Sequence, residues 1–231
     1  MSMDTGRHIV ICGWNDNGRR LVGDLLLSDT TPTVRVISPN AFQPANVRVR
    51  RVDFVLADPS TAEGLRAVEV DKADVVVILA DTRGGRSQQD ADARTILTVL
   101  AVEQLRPEVH TIAELFNPDN VFHAKNAGVD EVLISGAYSG VMLSQAVQSP
   151  GVLAVFRDLF SSGRGTRLHQ EPLPADLDGV SFREASRALM AAQRGVLLGY
   201  RRDGAAVLHP PSSAPVAAGD QIFLLQRVAQ P

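Results

Sequence analysis

Gly13-Trp14-Asn15-Asp16-Asn17-Gly18 follows a short apolar run, His8 to Cys12, and leads into a helical pattern. A glycine-rich turn in that setting cradles a pyrophosphate, because the helix N-terminus presents unpaired N–H groups and a partial positive charge. Gly13 permits the tight turn, and Gly18 lets helix and sheet approach closely. The middle glycine of the G-x-G-x-x-G pattern is replaced by Asn15, whose side chain intrudes where a diphosphate comes nearest the backbone. Ser38 stands at the end of the second apolar run, where an acidic residue would bind ribose hydroxyls. Both substitutions disfavour NAD. Two readings stay open: a scaffold that keeps the turn and binds no dinucleotide, or a site for a mononucleotide such as ATP or ADP. Trp14 could stack on a base or pack beneath the loop.

A second set is acidic. Asp58, Asp81, Asp92 and Glu114 fall at or just after strand ends, or at a helix start, on the edge that carries the glycine turn. Hard cations take several carboxylate and carbonyl oxygens, so convergence of two or three of these would make a calcium site. The plain alternatives are that Asp92 caps a helix against its dipole and that Glu114 pairs with Arg94 or another arginine. Arg83 and Arg86 flank Gly84-Gly85, in a cationic loop that could close on a phosphate or stay solvated. The five histidines, His8, His110, His123, His169 and His209, lack ligand spacing. A single cysteine, Cys12, excludes a disulfide framework and a cysteine-based zinc site.

The elements that must position these residues alternate between strand and helix. Strand-like runs are His8 to Cys12, Val34 to Ile37, Val49 to Ala57, Val75 to Ala80, His110 to Ala113 and Glu131 to Ile134. Helical patterns lie between them, at Arg20 to Leu27, Thr61 to Val68, Asp92 to Leu105 and Asn120 to Asn126. Six strands with crossover helices predict an α/β fold, a Rossmann-like, doubly wound parallel sheet over residues 1–135. From 136 to 165 two helices, Gly136 to Gln148 and Val152 to Phe160, precede a Ser/Gly-rich linker. Residues 166–231 read as a small α+β lobe with strands Arg167 to Gln170, Val196 to Tyr200, Ala206 to Leu208 and Gln221 to Leu225. Its helix opens on the capping box Ser181-Phe182-Arg183-Glu184. So small a unit should dock on a partner copy.

Composition narrows the classes. The 231 residues are 45% apolar and 21% charged, which is globular. A net charge of -3 argues against a dedicated nucleic-acid binder. The longest strongly apolar stretch, Val75 to Ala80, is far short of the roughly 20 residues of a membrane helix, so no direct membrane insertion is expected. No basic-then-apolar leader is visible.

HIVICGWNDNG, ADPSTAEGLRAV, ADVVVILAD, DARTILTVLAVEQLRPEVHTIAEL and NAGVDEVLIS, in register, resemble the RCK (regulator of potassium conductance) domains, also called the KTN/TrkA family, in their channel-type form. PLPADLDGVSFREA and VLLGYRRDGAAVLHPPSSAPVAAGDQIFLL are similar to that family's C-terminal lobe. The resemblance implies a cytoplasmic regulatory module beneath a potassium channel. It implies homodimers through 136–160, octameric rings, and pore gating set by a bound ion or nucleotide. Val152, Leu153, Val155, Phe156, Leu159 and Phe160 would then be pairing anchors. It also implies that Asp92 and Glu114 match two ligands of calcium-gated members, with Phe116 where a third should be, and that Asp58 and Asp81 face a base or ribose. The alternatives are a regulatory subunit of a Trk/Ktr-type uptake transporter binding ATP/ADP or NAD(H), and, remotely, an NAD-dependent oxidoreductase. The enzyme reading lacks a recognisable acid/base pair and a substrate domain of usual size, so no enzymatic activity is expected.

Overall fold

The computed structural model describes residues 7–26, 32–40, 52–159 and 166–227. The chain forms two compact units, Met1–Leu143 and Ser144–Pro231.

The first unit is built on β1 (His8–Cys12), β2 (Thr33–Ser38), β3 (Val52–Leu56), β4 (Val75–Ile78), β5 (His110–Leu115) and β6 (Glu131–Ile134). These six strands are all parallel and lie in the order β3-β2-β1-β4-β5-β6. That is the doubly wound arrangement expected above. Its helices are α1 (Asp16–Leu26), α2 (Ala62–Ala67), α3 (Gln88–Leu105) and α4 (Val121–Asn126). Strand β1 is covered on both faces, which is why it reads as an unbroken apolar run. Its side chains alternate: Val10 and Cys12 join the core formed with Leu65, Val99 and Val102, while Ile9 and Ile11 join Trp14 and Val22 on the other face. Because β1 sits between β2 and β4, the chain changes winding direction at β1/β4. A crevice at that switch point is where open α/β sheets bind ligands.

Several boundaries moved. Helix α1 begins at Asp16 rather than Arg20, and α3 begins at Gln88 rather than Asp92. In α3 the N-cap is Ser87, whose Oγ accepts the Asp90 N–H. Asp92 therefore does not cap that helix. In α2 the cap is Thr61, which accepts the Gly64 N–H, while Ser60 donates to Asp58. Positions 49–51 of the expected third strand, Phe160 and the linker 161–165 lie outside the described residues.

Helix α5 (Ala137–Gln148) contains the division between the units, and α6 (Val152–Leu159) follows it. Neither buries a single residue. The second unit adds β7 (Thr166–Pro172), α7 (Phe182–Ala191), β8 (Val196–Arg202), β9 (Ala205–Leu208) and β10 (Gln221–Arg227). These strands form an antiparallel sheet in the order β7-β10-β8-β9. The capping box of Ser181 and Glu184 opens α7 as the spacing predicts. Phe182, Ala185 and Leu189 of α7 pack with Leu197, Ile222 and Leu224 of the sheet into a separate core. Asp220, almost fully buried at the turn before β10, accepts from Arg202 Nε and Nη2, each at 2.7 Å, and from the Ala217 N–H.

Candidate functional site

The glycine turn sits where β1 feeds α1. Gly13 has φ +86, and a Cβ there would lie 2.7 Å from the Leu79 carbonyl oxygen, so the turn requires glycine. A Cβ on Gly18 would meet Leu79 and the Trp14 ring at 2.6 and 3.2 Å. Trp14 itself is buried and stands edge-on to Phe54, with ring centroids 5.2 Å apart. The indole is packed beneath the turn, so it presents no open face to a base.

Asn15 turns inward across the switch point. Its Nδ2 donates to the Ala80 carbonyl and to Glu114 Oε2, both at 2.8 Å. Its Oδ1 accepts the Gly18 N–H at 2.9 Å. Acceptors on one side and a donor on the other fix the orientation of the amide. Asn17 Nδ2 donates to Glu114 Oε1 at 2.6 Å, and the Ala80 N–H donates to Oε2 at 3.3 Å. Glu114 is only 3% exposed and is satisfied by these N–H groups. It makes no ion pair with Arg94 or with any other cation among the described residues.

Arg94 instead binds Asp58, Nη2 to Oδ2 at 2.9 Å, and Ser60 donates to the other oxygen through its N–H and Oγ. Partial burial tends to raise the Asp58 pKa, but the Ser60 hydrogen bonds and Arg94 outweigh it, leaving the carboxyl below its ordinary value. Asp81 behaves alike. Burial opposes ionisation there, and Arg83 overcomes it through its N–H, Nε and Nη2 at 2.9, 2.8 and 2.7 Å. The same Nη2 donates to Ser38 Oγ at 3.2 Å. Ser38 thus meets a cation, where an acidic residue would have faced a ribose. A recess of about 30 Å³ opens beside these groups, lined by Cys12, Gly13, Pro39, Pro59, Asp81, Arg86 and Arg94 among others.

Asp92 is fully buried and lies one turn inside α3. Its carboxylate accepts the Phe116 and Asn117 N–H groups at 2.8 and 2.9 Å and Asn120 Nδ2 at 2.8 Å. Asp92 and Glu114 are therefore each satisfied by separate sets of N–H donors. Among the described residues no three His, Cys, Asp or Glu side chains converge as a metal site. The sequence singles out these carboxylates and, at the glycine turn, Asn15 and Asn17, but not the pairing of those amides with Glu114 or the donors that meet Asp92. An Asx-turn signature at Asn117-Pro118-Asp119 was the one available signal, and Asn117 Oδ1 does accept the Asp119 N–H.

The description of a TrkA-N domain matches residues 9–135 of the chain. The calcium-gated potassium channel TvoK of Thermoplasma volcanium is 26% identical over 221 residues, 95% of this chain and 62% of that protein. The chain thus spans about three fifths of that relative's length. The human SLO3 gating ring superposes with a TM-score of 0.73 at 15% identity, covering 95% of this chain and 44% of that one. The GsuK channel bound to NAD superposes with a TM-score of 0.52 at 18% identity, covering 96% and 36%. At such identities the likeness is one of fold.

Proposed function

This chain belongs to the TrkA-N domain family, and we propose that it is the cytoplasmic ligand-sensing module of a potassium channel, without enzymatic activity. The observation that carries this reading is the match along 95% of the chain, through both units in order, to a calcium-gated potassium channel. That relative also favours a channel over a Trk/Ktr-type uptake system. The exposed helices α5 and α6 would pair copies of the chain, and pairs would assemble into a ring that a ligand reshapes.

For the ligand we propose an adenine nucleotide, bound where the β1/β4 crevice opens toward β2 and β3. Arg83, Arg86 and Arg94 stand there to meet phosphate, each already within reach of a partner it could exchange. Calcium fits less well. Asp92 would have to abandon two backbone N–H groups, and Glu114 two side-chain amides and a backbone N–H, to coordinate it.

Thermal unfolding with ADP, ATP, NADH and calcium tests the reading. A ligand at 100 times its Kd adds about 2.7 kcal/mol, roughly 5–10 °C for a chain of this size. ADP or ATP should give such a shift. A shift with calcium alone would overturn the nucleotide assignment, and steady turnover of NADH would overturn the sensor.

A further inference from the structure

The loop 81–87, between β4 and α3, is tied across the switch point by Arg83. Its Nε and Nη2 hold Asp81 at 2.8 and 2.7 Å, and the same Nη2 reaches Ser38 Oγ at 3.2 Å. Ser38 ends β2, and β1 lies between β2 and β4, so loop and side chain together bridge two strand spacings, about 10 Å. Arg86 Nη1 donates to the Arg83 carbonyl at 3.1 Å, which folds the loop back on itself. The tip has no packing to hold it: Gly84 and Gly85 have φ +79 and +78, and a Cβ on either would meet nothing within 4 Å. The arginine contacts are what fix it across the edge. Both ends of the tie line one recess, Asp81 and Arg86 on one side and Pro39 on the other, with Cys12 and Gly13 between them. That recess, about 30 Å³, has room for about one water. A small-molecule pocket holds roughly 300 Å³ or more.

We propose that Arg83 is a latch: the loop tied to Ser38 is the closed state of this edge, and a phosphate-bearing ligand enters only when Arg83 lets Ser38 go. The freed guanidinium then exchanges a hydroxyl and its own loop's carboxylate for phosphate oxygens, which it can hold in bidentate fashion. The ligand thereby keeps the loop in its second position. Apparent affinity is the intrinsic affinity reduced by the fraction of molecules that are unlatched. Anything that weakens the tie therefore tightens binding, although it removes no contact with the ligand's phosphate.

This inference rests on the nucleotide reading above, and one arm of its test needs no nucleotide. Trypsin cuts after arginine, so cleavage after Arg83 and Arg86 tracks the unlatched population when opening is fast relative to cutting. Ser38→Ala removes the far anchor without changing charge. Asp81→Asn removes the near one, while its amide oxygen can still accept the Arg83 N–H. Each should raise cleavage after Arg83 and Arg86 at least about threefold, with cleavage after Arg66 on α2 unchanged. Calorimetry should find ADP bound more tightly by Ser38→Ala, and by the same factor, because both quantities scale with the unlatched fraction. Asp81→Asn should gain more, since a negative charge beside the phosphate is also lost. Unchanged cleavage in both variants, or an equal rise after Arg66, overturns the latch, as does faster cleavage with an unaltered ADP affinity. If the variants unlatch but none of the proteins binds ADP, the latch stands and the nucleotide reading falls.

Discussion

Asp92 holds a turn. Its two oxygens satisfy the N–H groups that end β5 and begin the following 3₁₀ turn at Pro118–Asn120. Removing the carboxylate deprives those donors of their acceptor, and unsatisfied donors in a partly buried turn are costly. Asp92→Ala should therefore destabilise the protein by about 2–3 kcal/mol in urea unfolding. A loss under about 0.5 kcal/mol would mean the loop finds other acceptors. Asp92 and Glu114 were legible in the sequence as carboxylates on one sheet edge, because the first turns of α3 and the end of β5 place them there. What each one binds was not legible. Glu114 and Asn15 are 99 positions apart, and only the β1–β4–β5 register brings them together. The Asn15 substitution was visible, but whether its amide would point out at a ligand or inward at a carboxylate depended on that register.

Elements were more legible than contacts, since apolar periodicity reports burial directly. Strands β1 and β6 fall where the apolar runs predict them. Helices α1 and α3 begin earlier than expected because their first turns are polar and carry no hydrophobic period. Ser87 with Asp90 three residues on was the cap signal there. The packing of α3 on β5 also leaves one carboxylate strained. Burial and the nearby charge of Asp130 raise the Glu103 pKa, while Thr111 offers a weak opposing hydrogen bond. A raised carboxylate disfavours folding when ionised. The penalty is present at neutral pH and is relieved as pH falls through the folded value, vanishing below the unfolded one. Glu103→Gln should therefore stabilise the protein by a few tenths of a kcal/mol, about the size of an ordinary surface effect, at pH 7. The two proteins should melt together near pH 4. A gain that persists in acid would assign the effect to packing instead.

At the scale of the whole molecule, the proposed role requires the nucleotide edge and the pairing helices to share one equilibrium. Val141 and Leu143 in the first unit, and Val147 and Val155 in the second, are each more than half exposed, apolar side chains of the kind that second copies cover. A ligand moves a quaternary equilibrium only by binding its two states differently. Linkage then makes the effect reciprocal: the factor by which ADP changes pairing equals the factor by which pairing changes ADP affinity. Sedimentation with and without saturating ADP gives the first factor. Calorimetry below and above the pairing Kd gives the second, and a Val147→Glu variant supplies the unpaired limit at any concentration. The two factors should agree and exceed about fivefold, the lower range for allosteric coupling. Val147→Glu should weaken pairing at least about tenfold, because a carboxylate would be desolvated in an apolar seam. An ADP affinity that is the same at every protein concentration and in the variant would mean that occupancy of the edge never reaches the interface, and the chain would then be a nucleotide binder but not a sensor.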